Sequence, residues 1–221
     1  MYTAHHLKEI NMKTLIKASL LTLLLSAGLA QASTELISNG GFETNNLSNN
    51  KDGYAYAGLV TADAWSFVGG AGVSLNNTAW GGSTPAPSTA FAFLQNTASI
   101  SQIFTTATAS NFTVAFDLAE RTNFGTTGQV VGVSLDGKAI SQFDVSAANG
   151  WAAESFGALN VGAGVHTLTF TGLNPKNESD TTGFIDNVSV IAAPVPEPET
   201  YAMMLAGLGL LGFMSRRRKA K

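Results

Sequence analysis

Over most of the chain, apolar and polar positions alternate with a period close to two. Phe112, Val114, Phe116 and Leu118 alternate with Thr113, Ala115 and Asp117, the pattern of a strand with one buried face. Val131, Val133 and Leu135 repeat it and run into Asp136-Gly137, a pair suited to a type I′ hairpin because both central residues need positive φ. Lys138–Val145 returns the chain. Val165–Thr171 sets His166, Leu168 and Phe170 against Val165, Thr167 and Thr169, and Phe184–Ile191 supplies a last strand. Ala64–Val68, Ala90–Leu94 and Ser99–Thr105 are earlier strands. No long 3.6-residue amphipathic pattern competes, and Gly and Asn punctuate the joins. Short strands separated by turns predict an all-β chain, a single antiparallel β-sandwich or jelly roll.

Both ends break this pattern. Lys13 and Lys17 precede the apolar run Ala18–Leu29, which closes on Ala30-Gln31-Ala32. A basic start, a short apolar run and small residues at the cleavage positions predict a signal helix, removed by signal peptidase after Ala32. Met12 opens this signal more cleanly than Met1, which makes residues 1–11 a candidate extension. At the other end, proline stiffens the Ala192–Val195 spacer. Pro196-Glu197-Pro198 follows, then the uncharged apolar stretch Tyr201–Met214, then Arg216, Arg217, Arg218 and Lys219. An apolar helix backed by a basic cluster is the pattern of a transmembrane helix whose basic end stays cytoplasmic. Residues 201–214 would give about 21 Å of helix at roughly 1.5 Å per residue, against a hydrocarbon core of about 30 Å. The span is thus expected to sit only transiently in the inner membrane or to thin it locally. The expected organisation is signal peptide 1–32, sandwich 33–193 and sorting tail 194–221.

Val195-Pro196-Glu197-Pro198, the apolar segment and Arg216–Lys219 together closely resemble the PEP-CTERM sorting signal of Gram-negative bacteria. The resemblance covers roughly residues 194–219 and implies processing by an exosortase. It also implies delivery to the cell surface or extracellular matrix of bacteria that make exopolysaccharide and biofilm. The body carries a second resemblance. Asn39-Gly40-Gly41-Phe42-Glu43, Ile100-Ser101-Gln102-Ile103-Phe104 and Phe184–Val190 look like the galactose-binding-type jelly rolls found in many carbohydrate-binding modules. In those modules the opening and closing segments lie side by side and commonly hold a structural calcium. That implies Glu43 and Asp186 as calcium ligands, for an ion that takes about six to eight oxygens. The same two residues have a plainer reading, in which Glu43 caps a backbone turn and Asp186 accepts local hydrogen bonds.

Composition narrows the chemistry. With no Cys there are no disulfides, thiolate metal sites or cysteine nucleophiles, and His166 is the sandwich's single histidine. Ser33–Val195 holds four basic residues (Lys51, Arg121, Lys138, Lys176) against twelve acids, a net charge of −8 that repels phosphate backbones and excludes nucleic acid as a partner. No nucleophile elbow, phosphate loop or histidine zinc motif is present. A non-enzymatic binder is therefore expected, with exopolysaccharide as its partner. Tyr54, Tyr56, Trp65, Trp80 and Trp151 lie in or beside Gly/Asn-rich segments and offer flat apolar faces to sugar rings. Trp80, in Asn76–Gly82, is expected to be the most exposed; filling the core is the competing role for all of them. Arg121 could grip a carboxylate or a hydroxyl pair, or pin the strand end by a salt bridge. His166 is expected to be structural. A matrix or adhesion protein with no glycan ligand, and a weak glycoside hydrolase using two carboxylates about 5–10 Å apart, are the rival readings.

Overall fold

The computed structural model describes residues 33–82, 84, 87–121, 123, 128–145, 150–192, 202 and 204–209. The chain divides into two units, Ser33–Ala193 and a second made of Met1–Ala32 with Pro194–Lys221. In the second unit, Ala202 and residues 204–209 are helical. No helix among the described residues is long and apolar enough to cross a membrane. The expected signal segment, Val195–Pro198, Arg216–Arg218 and most of the expected span 201–214 lie outside the described residues.

Ser33–Ala193 is a sandwich of two antiparallel sheets. Its strands in chain order are β1 (Thr34–Glu35), β2 (Tyr54–Tyr56), β3 (Trp65–Val68), β4 (Ala71–Leu75), β5 (Ala90–Gln95) and β6 (Ser99–Thr106). They continue as β7 (Ser110–Glu120), β8 (Val130–Leu135), β9 (Lys138–Asp144), β10 (Ala152–Val161), β11 (Gly164–Gly172) and β12 (Thr182–Ala192). One sheet runs β10-β7-β12-β5-β4-β2, with β1 added to the far end of β12; the other runs β3-β6-β11-β8-β9. All these strand pairs, and both apolar clusters formed by their side chains, lie inside this unit. It therefore carries a complete core of its own.

Alternation builds that core. β7 turns Phe112, Val114, Phe116 and Leu118 inward, where they meet Phe104, Leu168, Phe170, Val131 and Val133 from the facing sheet. Phe116 packs edge-on against Phe143 and Phe170 at centroid distances of 5.1 and 5.0 Å. The Asp136-Gly137 turn forms as expected, with φ of 53° and 75° between the paired Leu135 and Lys138. At the entrance to the sandwich, one oxygen of Glu35 accepts the N–H groups of Leu36, Ile37 and Val190, and the other accepts the Ser189 hydroxyl. This carboxylate ties the first strand to the last.

Four strands depart from the expected set: β1, which is only two residues long, β2, β4 and β10. β4 lacks alternation because Ala71, Gly72, Val73 and Ser74 are all buried, which removes the polar face that a period-two reading looks for. β2 is three residues long and β10 is rich in small residues, so neither carries a strong local pattern.

His166 has the structural role expected of it. Its Nδ1 lies 2.8 Å from Asp136 Oδ2 and its Nε2 lies 2.9 Å from the Gly162 carbonyl. Asp136 Oδ1 accepts the Thr167 N–H at 2.8 Å. Two acceptors on two ring nitrogens favour the doubly protonated ring. The hydrogen bond to Asp136 raises His166 above its ordinary value against the opposing effect of burial, and it lowers Asp136. A raised histidine contributes stability that is complete below its unfolded value and lost as pH climbs through the folded one. The urea midpoint should fall accordingly as pH rises above about 6.5. Asp136→Asn, which tolerates the positive φ of the turn, should flatten that fall.

Candidate functional site

The seven-stranded sheet carries a second apolar cluster on its outer face, separate from the core. Strand register assembles it. Tyr56 on β2 is paired through Gly72 of β4 to Phe93 of β5, then to Phe184 of β12 and Ala119 of β7. Gly72 is required in this row, because a Cβ there would lie 2.5 Å from the Phe93 ring and 2.1 Å from the Ala55 carbonyl. Phe91 stands on the same face, one pleat along. Trp80 stacks on Phe93 at 4.0 Å, with Tyr54 and Tyr56 edge-on to it at 6.1 and 5.9 Å. Trp151, just ahead of β10, reaches Phe91 at 5.9 Å and Phe184 at 6.4 Å.

Arg121 closes this cluster. Its guanidinium lies 4.2 Å above the Trp80 ring, a cation–π contact that makes a three-layer stack of Arg121, Trp80 and Phe93. Nη1 lies 3.4 Å from Asp180 Oδ1, Nε donates to Asn123 Oδ1 at 3.1 Å, and Asp180 also accepts from Gln95. The salt-bridge partner is Asp180. Tyr56 sits beside these charges. Burial raises its phenol above the ordinary value, Tyr54 and Asp180 add to the rise, and Arg121 opposes it.

Five of the six sequence-based ligand candidates therefore meet on one face: Tyr54, Tyr56, Trp80, Trp151 and Arg121. Trp65 does not. It is buried in the main core against Phe42 and Phe170, with its indole N–H donated to the Asn39 carbonyl at 3.0 Å. Trp80 also departs from expectation, being 3 % exposed rather than open to solvent. Gly81 (φ 72°) and Gly82 bring the backbone down over the cluster, and a Cβ on Gly82 would lie 2.4 Å from Phe91. The exposed rim is formed by the half-buried Tyr54, Tyr56 and Trp151. Phe91, Phe93, Phe184, Asp180 and Gln95 were not foreseen. The uninterrupted apolar run Ala90–Leu94 was their one local signal, since a strand without a polar face must be covered on both sides.

Glu43 and Asp186 come together beside this cluster, where the opening segment crosses β12. Val188 donates its N–H to Gly40 O at 3.0 Å, and a bulge at Asn187 (φ 51°) interrupts the pairing with β7. The Ser88 hydroxyl lies 2.8 Å from Glu43 Oε1 and 2.8 Å from Asp186 Oδ2. Glu43 also accepts the N–H groups of Thr89 and Ala90 and the Thr89 hydroxyl, so it does cap this turn. Burial tends to raise Glu43, but these bonds outweigh it and hold the carboxylate below its ordinary value. Asp186 is fully buried and, among the described residues, receives the Ser88 hydroxyl and the Asn187 N–H. Burial pushes it up to about 7, and the charges of Glu43 and Asp117 reinforce the rise.

A single Ser88 proton cannot serve two carboxylates. With Asp186 protonated the chain is satisfied, Asp186 donating to Ser88 and Ser88 to Glu43. With Asp186 ionised, one of the two short contacts sets lone pair against lone pair, unless a cation enters. A Cβ placed on Gly41 would lie 3.7 Å from both Asp186 Oδ1 and Asn187 Oδ1, oxygens of hard-ligand character, and 3.8 Å from Glu43 Cγ. Among the described residues no three acidic or histidine side chains converge, so any ion there would need carbonyl oxygens as well.

A carboxyl raised in the folded state stabilises most below its unfolded value, and that contribution is lost as pH rises through about 7. In metal-free buffer, stability should therefore decline from about pH 4 to pH 8. Asp186→Asn supplies an amide donor to Ser88 without charge. It should remove most of that decline and stabilise the fold at pH 8 by about 1–2 kcal/mol, read from urea unfolding.

No curated protein matches the chain. Among solved structures, TmCBM61 in complex with beta-1,4-galactotriose aligns over 73% of this chain and 100% of its own at 16% identity, with a TM-score of 0.51. A family 35 carbohydrate binding module from Clostridium thermocellum aligns over 58% and 92% at 17% identity (TM-score 0.41). An arabinose-bound MgGH51 a-L-arabinofuranosidase aligns over 73% and 27% at 13% identity (TM-score 0.49). The first of these establishes a shared sandwich fold. The tail matches the PEP-CTERM protein-sorting motif over residues 194–219, which marks an exported, cell-surface protein and implies exosortase processing. Residues 35–191 match the model described as "Protein of unknown function (DUF642)", and the chain belongs to that family.

Proposed function

We propose that the sandwich is a non-catalytic glycan-binding module, displayed on the cell surface and directed at exopolysaccharide. The observation that carries this reading is the convergence of Tyr54, Tyr56, Trp80, Trp151 and Arg121 on one sheet face, outside the core. Half-exposed rings offer apolar faces to sugar C–H groups, and Asn123, Gln95 and the Arg121–Asp180 pair supply polar contacts at the rim. Trp80 acts as the buried support on which the rim rests. Signal peptidase and a transient inner-membrane span at 201–214 complete the proposed export route.

The hydrolase alternative has one feature in its favour. Glu43 and Asp186 are a carboxylate pair whose proton affinities are driven apart, as an acid and a nucleophile require. Asp186 is fully buried behind Ser88, however, so no glycosidic oxygen can reach it in this conformation. The corner is better suited to one structural calcium held by Asp186 and Glu43. Such an ion would neutralise the buried charge and fasten the opening segment to β12.

Two measurements test these readings. Titration of the 33–193 unit with purified exopolysaccharide should show binding that Tyr56→Ala and Trp151→Ala each weaken about tenfold, with melting lowered by only a few degrees because both rings are half-buried. Absence of binding would favour a structural matrix protein, and release of reducing sugar would favour the hydrolase. At pH 8, calcium at about a hundredfold excess over its Kd should raise the melting temperature by roughly 5 °C. Asp186→Asn should abolish the response; a wild-type melt indifferent to calcium and to chelator removes the ion from the model.

A further inference from the structure

Two sheets have four edges between them, and three of those edges are blunted. β2 and β3 are three and four residues long. β9 carries Lys138 and Asp144 and is interrupted by a register shift opposite Val133 and Ser134. Short strands, charges and bulges are the devices by which sheets avoid pairing with foreign strands. β10 has little of this. It is ten residues long, contains neither Pro nor Lys, and has Glu154 as its one charge. It pairs with β7 without interruption from Ala152 to Ala158, its one register shift falling beyond, between Ala158 and Val161, and no other described strand pairs with its outer side. On the sheet's outer face it shows Ala153, Ser155 and Gly157, exposed side chains too small to obstruct an incoming strand.

We propose that the free edge of β10 is a self-association site that pairs with β10 of a second copy, antiparallel about a two-fold axis at Ser155. The occupant is argued from self-complementarity. Around that axis Ala153 faces Gly157 of the second copy and Glu154 faces its Phe156, so the two Glu154 side chains lie on the diagonal, about 7–8 Å apart, rather than directly opposed. Two bodies that each carry a net charge of −8 repel almost everywhere else. The paired area is smaller than the roughly 1,200 Å² of a stable complex, so the dimer is weak and forms where the protein is concentrated, as on a crowded surface. The axis stands perpendicular to the sheet and leaves both outer faces on one side. The two aromatic clusters then face the same way, and a long polymer that met both would gain avidity. That last consequence rests on the glycan reading; the strand pairing does not.

The absence of native cysteine makes the geometry directly testable. In the paired state the two residues at position 155 oppose each other with Cβ atoms about 4.5–5.5 Å apart, near disulfide reach. Mild oxidation of Ser155→Cys in the 33–193 unit should give mostly cross-linked dimer. Thr169→Cys, on the outer face of the other sheet, should give little. The wild-type sedimentation coefficient should rise with concentration, and Ser155→Lys should hold it at the monomer value without changing the melt. The proposal is overturned by a wild type that stays monomeric at every concentration. It is equally overturned if Ser155→Cys cross-links no faster than Thr169→Cys, or if Ser155→Lys self-associates as the wild type does. None of these outcomes depends on sugar binding.

Discussion

Strand β5 has no polar face. Ala90, Ala92 and Leu94 enter the core between the sheets, Phe91 and Phe93 stand on the opposite side, and all five are fully buried. A strand of this kind needs cover above and below. The five-stranded sheet covers one side. The other side is covered by Trp80 from a loop, by Trp151 ahead of β10 and by the tyrosines of β2. The aromatic cluster is therefore first a structural necessity, and its exposed margin is what remains for a ligand. This divides the aromatic residues by role: removing Trp80 would open a void against Phe93, whereas Tyr56 and Trp151 can change with the sheet still covered.

The same face explains the state of Asp186. One pleat beyond Phe184, β12 places a carboxylate where the Asn187 bulge and the opening Gly-Gly segment seal it from water. Its neighbours Glu43 and Asp117 share its sign. A buried charge with like charges beside it must take up a proton or attract a cation. The corner that joins the chain's opening segment to its last strand is thus sensitive to protonation.

β12 also sets the geometry of display. It runs from Phe184, inside the aromatic cluster, to Ala192, which is paired with Thr34. Eight residues at about 3.3 Å each separate the two, a distance of about 26 Å. The N-terminal strand and the departure point of the sorting tail lie together, held by Glu35, at the end of β12 remote from the cluster.

What the residues determine by themselves is local. Period-two alternation marks β7, β8, β11 and β12, positive φ at Asp136-Gly137 makes the hairpin, and the order of Pro-Glu-Pro, apolar run and basic cluster writes the sorting tail. Each of these is carried by neighbours a few positions apart, where torsional preference and side-chain alternation act directly. Trp65 and Trp80 could not be told apart in this way, since both lie near glycine and asparagine. One fills the core and the other roofs the outer face because of what stands across the sheet from each. β10 is a strand because β7 pairs with it, and Glu43 meets Asp186 only because the first segment crosses the last. Burial and proton affinity depend on neighbours brought close by the whole fold, so the tertiary structure alone decided them.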